Sequence, residues 1–274
     1  MNDITTDFSI LLPALIAGCL VAISHVPLGQ QVLSRGIVFI DLAIAQVAAL
    51  GVIVANRFDL PIEGWGAQAA AAAAALAGAL LLTWTERKRP EVQEALIGIL
   101  FVLASTAQIL LLANDPHGGE NLKDLLAGQI LWVSNSQIIR TAVLTAVFAL
   151  VWFTWHEKIG RIGFYVLFAL VVTASVQLVG VYLVFTTLIV PAVSTYRHAP
   201  RRQLLYGYAL ALGSYVVGLG VSLVTDLPSS PMIVWAMGVL GLLVHLTGRT
   251  AETVPGKESR EISPESSNFT RQRL

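Results

Sequence analysis

The segment SRGIVFIDLAIAQVAALGVIVA, residues 34–55, is almost entirely apolar, yet it contains an aspartate, Asp41, and a glutamine, Gln46. A run of about 20 apolar residues is long enough to cross the hydrocarbon core of a bilayer as a helix. A carboxylate near the bilayer centre raises the free energy of insertion by about 2.5 kcal/mol or more. We therefore expect Asp41 to face the interior of a helix bundle or a water-filled path.

The composition of the whole chain indicates a membrane protein. Of the 274 residues, 55% are hydrophobic and only 12% are charged, and the mean hydropathy is +0.73. Soluble domains carry about 25% charged residues. The net charge is zero, so the chain lacks the basic surface that nucleic-acid binding requires.

The apolar runs predict an all-α fold, a polytopic transmembrane helix bundle of eight or nine membrane segments. The runs fall at residues 8–26, 36–55, 65–85, 92–113, 137–155, 163–177, 179–195, 202–224 and 231–247. The sixth and seventh meet at residues 179–180, and the seventh ends near Pro191, so residues 163–195 form either two tilted spans or one span plus a broken or re-entrant segment. We interpret residues 1–248 as one transmembrane domain and residues 249–274 as a disordered cytoplasmic tail.

The distribution of charge orients these segments. Lys and Arg concentrate in cytoplasmic loops, and here they alternate along the chain with acidic loops. The basic set is Arg35, Arg87, Lys88, Arg89, Lys158, Arg161, Arg197, Arg201, Arg202 and Arg249; the acidic set is Asp3, Asp7, Asp59, Glu63, Asp115, Glu120, Asp124 and Asp226. The pattern predicts a multi-pass protein of the cell's inner (plasma) membrane with its N-terminus outside. Residues 120–133 are predicted to form a short amphipathic helix at the outer surface.

Motifs of catalysis are missing from the sequence. There is no Walker A phosphate loop, no HExxH or CxxC pair and no GxSxG elbow. Without a clustered nucleophile and base, the chain is not expected to be an enzyme.

Polar residues inside the apolar runs are the remaining candidates for function. Asp41, Gln46 and His25 are the candidate residues of an ion pathway, although Asp41 could instead pair with Arg35. Gln46 lies about 140° around the helix from Asp41, so the two side chains do not share a face. Gln46 and Gln177 are also typical of hydrogen bonds between membrane helices. His25 stands at the end of the first run, on the cytoplasmic side.

Several segments together resemble the integral membrane permeases of ABC-type zinc, manganese and iron importers. They are PLGQQVLSRGIVFIDLAIAQVAALG, QEALIGILF, LKDLLAGQILWVS, VQLVGVYLVFTTLIVPAV and VSLVTDLPSSPMIV, in the order of the family. The resemblance implies that the transmembrane domain is a permease subunit for a divalent transition metal ion: zinc, manganese or iron. The ion would be cargo rather than a cofactor, and no cofactor is expected to be bound by this chain.

The resemblance also implies partners. Permeases of this family pair as dimers and work with a cytoplasmic ABC ATPase and an extracytoplasmic metal-binding protein. The ion would then cross between two copies of the subunit, past Asp41. The segment HEKIGRIGFYVLF resembles the family's ATPase-docking element, which implies coupling roles here, together with a neighbouring basic loop, for Glu157, Lys158, Arg161, Gly163, Arg201 and Arg202.

One departure from the family bears on the ion. The family usually has a Gly-Asp pair followed four residues after the aspartate by a histidine, whereas here Ile40 precedes Asp41 and Ala45 follows it. Imidazole suits zinc, whereas carboxylate and amide oxygens suit harder ions such as manganese. Two other functions stay open from the residues: a proton-coupled secondary transporter working through Asp41, and a non-transporting regulatory membrane subunit.

Overall fold

The protein is an assembly of helices, seen in a computed structural model that describes residues 2–57, 65–155 and 158–247. Within these ranges the chain forms α-helices, two 3-10 turns (Pro90–Val92 and Ile130–Trp132) and no strand. The α-helices are α1 Asn2–Arg35, α2 Ile40–Arg57, α3 Trp65–Lys88, α4 Gln93–Leu112, α5 Gly118–Ala127, α6 Asn135–Trp155, α7 Arg161–Val179, α8 Val181–Thr195, α9 Pro200–Thr225 and α10 Ser229–Thr247. The predicted all-α fold is confirmed, while the predicted tail at 249–274 lies outside the described residues.

Seven helices of the described ranges are long and apolar enough to cross a membrane. They are Leu11–Arg35, Gln68–Lys88, Pro90–Leu112, Asn135–Trp155, Arg161–Val179, Arg201–Thr225 and Ser229–Leu246. Two shorter apolar helices, Ile40–Ala55 and Val181–Thr195, add to these seven. Together they agree with the predicted bundle of eight or nine membrane segments. The second shorter helix has 15 residues and is about 22 Å long, less than the roughly 30 Å of the hydrocarbon core. The irregularity predicted in residues 163–195 is therefore a break at Gly180 between a full-length α7 and a short α8.

The bundle has a buried centre and a lipid-facing rim. Helices α1 and α7 are the most buried of the spans. Helix α2 packs on α7 and also contacts α3 and α4, while α8 packs on both α1 and α7 and also contacts α9 and α10. The outer helices α4 and α6 present large apolar side chains such as Leu110 and Leu150, both more than 60% exposed. Exposed leucines of this kind need no protein partner when they face lipid. The backbone groups of these helices are satisfied inside each helix.

Two helices continue through prolines. The predicted end near residue 26 is wrong, because α1 runs through Pro27 to Arg35. Helix α8 runs through Pro191 to Thr195, the last residue of the predicted run 179–195. A proline leaves the carbonyl four residues earlier without its helical donor. For Pro27 that carbonyl belongs to Ile23, and it accepts a hydrogen bond of 3.1 Å from the hydroxyl of Tyr208 on α9.

The predicted amphipathic helix at 120–133 is broken in the structure. Helix α5 ends at Ala127, Gly128 follows with a positive φ of 71°, and the 3-10 turn Ile130–Trp132 completes the segment. Helix α6 then begins with a capping box: the Ser134 N–H donates to the Gln137 side chain at 2.9 Å, and the Gln137 N–H donates to the Ser134 hydroxyl at 3.3 Å. The break at Gly128 redirects the chain from α5 into α6.

Gly128 and Gly180 meet backbone to backbone. Both have positive φ, 71° and 86°. A Cβ on Gly128 would collide with the Val179 carbonyl, and a Cβ on Gly180 would collide with the backbone nitrogen of Gly128. Only glycine satisfies both the left-handed backbone and the close approach. This contact fixes the α5–α6 connection against the α7–α8 break.

A methyl group at this contact should destabilise the fold. Gly180→Ala adds about 1–2 kcal/mol of backbone strain to the collision with Gly128, so we expect a lower midpoint of thermal unfolding in detergent. Gly213→Ala is the matched control, because its Cβ would meet no atom within 4 Å and alanine favours a helix interior by about 1 kcal/mol over glycine. Equal midpoints for the two variants would contradict the role of the contact.

Candidate functional site

Asp41 lies in the first turn of α2 and is completely buried. Neither of its carboxylate oxygens has a hydrogen-bond partner among the described residues. The position is favourable for a negative charge, because the N-terminal end of a helix carries a partial positive charge. An interior-facing carboxylate that the protein itself leaves without a donor can take a cation or water as its partner.

The ion pair between Asp41 and Arg35 that the sequence left open does not form in the structure. The Arg35 guanidinium instead lies over the ring of Phe164, with its central carbon 4.0 Å from the ring centroid. No ion pair within the described ranges includes Asp41. Arg35 therefore joins the end of α1 to the start of α7 and leaves the carboxylate uncompensated.

His25 is not at the end of a helix, as the sequence suggested, but ten residues before the end of α1 and completely buried. Its Nδ1 lies 3.0 Å from the Val21 carbonyl and 3.0 Å from the Ser24 hydroxyl. Since a carbonyl only accepts, the bond to Val21 requires the hydrogen on Nδ1. The other nitrogen, Nε2, then carries the free lone pair, and it is buried with no hydrogen-bond partner among the described residues.

Gln46 joins two helices. The side-chain amide of Gln108 on α4 donates to the Gln46 Oε1 at 2.6 Å and to the Gln46 backbone oxygen at 2.9 Å. A second pair, Gln68 on α3 with Gln177 on α7, makes a side-chain hydrogen bond of 3.1 Å. These contacts match the interhelical bonding expected of Gln46 and Gln177, so Gln46 is committed to the packing of α2 on α4.

The three predicted pathway residues do not form one metal-binding cluster. No group of three or more His, Cys, Asp or Glu side chains that could hold a metal ion occurs in the described part of the chain. Of the three, Asp41 and His25 are completely buried and each has a side-chain atom without a hydrogen-bond partner among the described residues. Such an arrangement can give a passing ion a point of contact without trapping it in a closed coordination shell.

A cavity of about 680 Å³ opens at the other end of α2. Its polar lining residues are Asn114, Asp115, Asp124, Gln129, Gln137 and Gln177. Val52 of α2 also lines it, eleven residues or about 16 Å beyond Asp41. Since Asp41 belongs to the end of the bundle that carries Arg35, the cavity belongs to the opposite end, which the charge pattern assigns to the outside.

The residues predicted to couple to an ATPase lie at the Arg35 end of the bundle, apart from Glu157, which is outside the described residues. Lys158, Arg161 and Gly163 are exposed just before and within the first turn of α7. Arg201 and Arg202 are exposed in the first turn of α9. The described coupling residues therefore form an accessible basic surface.

The sequence interpretation missed a set of polar contacts beneath that surface. Arg161 pairs with Glu86 on α3, Gln93 binds Thr85, and Glu94 accepts the backbone N–H of Phe39. We call Thr85, Glu86, Gln93, Glu94 and Arg161 the polar rim. One signal was available: Glu86 is the acid that precedes the basic run RKR, and Glu94 stands inside the quoted segment QEALIGILF.

A family comparison identifies this membrane fold. The model of the ABC 3 transport family matches residues 7–164 and 155–248, most of the chain. The chain belongs to the ABC 3 transport family. The resemblance drawn from the sequence segments is thereby confirmed, and so is the interpretation of the chain as a membrane transport component rather than an enzyme.

Relatives of this ABC 3 protein share its length but little of its sequence. A probable metal transport system membrane protein of Chlamydia muridarum is 24% identical, covering 94% of each chain. The manganese transport system membrane protein MntC of Halalkalibacterium halodurans is 24% identical over 95% of this chain and 96% of its own. The zinc uptake system membrane protein ZnuB of Buchnera aphidicola is 22% identical over 87% and 98%.

Solved structures share the fold of the ABC 3 chain. A chain of PsaBC from Streptococcus pneumoniae, in complex with a Fab, superposes with a TM-score of 0.73 at 20% identity, covering 88% of this chain and 92% of its own. An inward-facing putative metal-chelate type ABC transporter superposes with a TM-score of 0.62 at 17% identity, covering 86% and 85%. At these identities the likeness concerns the fold alone.

Replacing one glutamine of the α2–α4 pair should lower the stability of the fold more than replacing both. In Gln108→Leu the buried amide of Gln46 loses its partner, and we expect a loss of about 1–3 kcal/mol in stability. The double variant Gln46→Leu with Gln108→Leu buries two apolar groups instead and should regain part of that loss. Thermal unfolding in detergent measures both; a double variant less stable than Gln108→Leu alone would contradict the pairing.

Proposed function

We propose that the chain is the membrane-spanning permease subunit of an ABC transporter that imports a divalent transition metal ion, energised by a separate ATPase subunit. The observation that carries the proposal is the fully buried Asp41 carboxylate, whose oxygens have no hydrogen-bond partner among the described residues. An ionisable residue in a membrane segment is a functional candidate by default. Family membership and the metal-transport names of the relatives support the choice of cargo.

The route of the ion is proposed to follow one face of α2. Asp41, Ala45, Ala48 and Val52 are spaced four, three and four residues apart, which aligns them on one side of a helix. Ala45 and Ala48 are buried, and Val52 lines the outer cavity. Because Asp41 itself is inaccessible, ions reach it only when α2 moves relative to the helices packed on it.

The donor chemistry near Asp41 favours a hard ion. Where the family has a histidine, this chain has Ala45, which is completely buried, so the packing is built around a methyl group rather than an imidazole. Oxygen donors suit manganese or ferrous iron better than zinc. We therefore propose manganese or iron as the preferred cargo, with zinc as the competitor to be tested.

The proposed partners follow from the two ends of the bundle. A cytoplasmic ABC ATPase would dock on the exposed basic surface at Lys158, Arg161 and Gly163 and on the start of α9. An extracytoplasmic metal-binding protein would deliver the ion to the outer cavity, whose Asp115 and Asp124 attract cations. A second copy of the subunit would complete the transporter, as in the dimers that the resemblance implies.

Replacing the carboxylate of Asp41 should stop transport. Asp41→Asn keeps the size of the side chain but removes the charge that a cation needs, so we expect uptake of radioactive manganese by the reconstituted complex to fall at least about tenfold. Asp226→Asn is the matched control, since Asp226 is exposed at the end of α9 and asparagine also tolerates its left-handed backbone.

Two results would contradict this proposal. Normal uptake by Asp41→Asn would remove the carboxylate from the ion route. Uptake driven by a pH gradient in proteoliposomes that contain this chain alone would instead support a proton-coupled secondary transporter. The inhibition of manganese uptake by zinc and by ferrous iron, measured in the same vesicles, shows which of these ions the transporter prefers.

A charge placed on the proposed docking surface should release the ATPase. Gly163 is exposed in the first turn of α7, so in Gly163→Asp the new side chain projects into the contact, and we expect co-purification of the ATPase to fall at least about tenfold. Gly119→Asp is the matched control, because Gly119 is exposed in the first turn of α5 at the opposite end of the bundle. Unchanged co-purification with Gly163→Asp would refute docking at this point.

A further inference from the structure

We propose that Glu94 is a positioning residue that holds the beginning of α2, and Asp41 with it, and that the polar rim forms a continuous path from Arg161 to this point. This inference rests on the proposed function, since it describes how a cytoplasmic event would reach the carboxylate in the ion route.

Glu94, on α4, supplies a hydrogen-bond acceptor for the backbone just before α2. Its Oε1 accepts the backbone N–H of Phe39 at 3.1 Å, across 55 residues of sequence. Its other carboxylate oxygen is buried with no hydrogen-bond partner among the described residues, while the side chain as a whole is half-buried. Phe39 precedes α2 by one residue and Asp41 by two, so this bond fixes the backbone next to the buried carboxylate.

The segment that Glu94 holds is otherwise a tight turn between helices. Residues 36–39 join α1 to α2, and Gly36 has a positive φ of 68° with no neighbouring atom within 4 Å of a Cβ position. Arg35 is fixed on one side of this turn by the ring of Phe164. Glu94 fixes the other side, so the position of Asp41 depends on α4 and α7 as well as on its own helix.

The next link joins α4 to α3. Gln93, the residue before Glu94, is buried. Its side chain accepts a hydrogen bond of 2.9 Å from the Thr85 hydroxyl and donates one of 3.0 Å to the Leu82 carbonyl. A buried amide with both ends bonded permits little independent movement, so the start of α4 moves with the end of α3.

The last link reaches the proposed docking surface. Glu86, which follows Thr85, forms an ion pair of 3.3 Å with Arg161, and the side chain of Glu86 is only 17% exposed. Arg161 begins α7 and stands two residues before Gly163. The path therefore runs from α7 through α3 and α4 to the first turn of α2, and a displacement of the start of α7 is transmitted to Asp41 through this ion pair and these hydrogen bonds.

Hydrogen–deuterium exchange on the full chain alone, in lipid nanodiscs, tests the path without the ATPase or any metal. Local opening of a segment speeds the exchange of its amides. We expect Glu94→Ala and Glu86→Gln each to speed exchange at residues 37–41 at least about threefold. Glu94→Gln should leave it near the wild-type rate, because its amide oxygen still accepts from Phe39. Gln68→Leu is the matched control: it removes a bond between α3 and α7 that lies outside the path, and it should leave residues 37–41 unchanged.

Three outcomes of the exchange experiment overturn the inference. Unchanged exchange at residues 37–41 in Glu94→Ala removes its positioning role. Faster exchange in all helices of that variant marks a merely structural residue. An effect of Glu94→Ala without one of Glu86→Gln breaks the path between α7 and α3.

Transport in the complete complex gives the functional readout. We expect Glu94→Ala to hydrolyse ATP but to move at least about fivefold less manganese per ATP than the wild type, and Glu94→Gln to restore the ratio. An unchanged ratio in Glu94→Ala overturns the inference while the proposed function stands. If the wild-type complex moves no metal, the proposed function fails, and the exchange experiment still decides the role of Glu94.

Discussion

The burial of one carboxylate at the beginning of α2 is the constraint on which the rest of the structure depends. Asp41 is shielded from solvent completely, and the partial positive charge of the helix terminus is the favourable field there. The surrounding helices must exclude lipid from the group and keep that terminus in place. Two contacts, Arg35 with Phe164 and Glu94 with Phe39, keep the helix terminus in place from the two sides of the α1–α2 turn.

Other polar groups in the bundle obey the rule that nothing polar is left facing hydrocarbon. The glutamine pairs bind α2 to α4 and α3 to α7, and the Tyr208 hydroxyl bonds the carbonyl that Pro27 leaves without a helical donor. These are packing bonds between helices. Asp41 differs from these groups, because neither of its carboxylate oxygens has a hydrogen-bond partner within the described residues. Other buried atoms without a partner, such as the second carboxylate oxygen of Glu94 and the Oε1 of Gln108, belong to side chains that form a hydrogen bond through another atom.

The sequence interpretation succeeded where the argument depended on hydropathy and failed where it depended on helix ends. The spans and the α7–α8 break were predictable, because apolar runs and Gly180 are local features. The end near Pro27 was wrong, because the donor that lets α1 continue comes from Tyr208, far along the chain. The position of His25 failed for the same reason, since the helix that contains it continues nine residues beyond the predicted end of its apolar run.

The sequence by itself determined that this is a helical membrane protein and that Asp41 needs an interior position, because hydropathy and the cost of a buried carboxylate are carried by the residues themselves; the direction in which the loops face stays a prediction from the charge pattern. Only the tertiary structure decided that Gln46 belongs to packing, that Arg35 stacks on Phe164 instead of pairing with Asp41, and that Glu94 meets Phe39. These contacts join residues up to 129 positions apart, as with Arg35 and Phe164, and helix packing rather than local pattern brings them together.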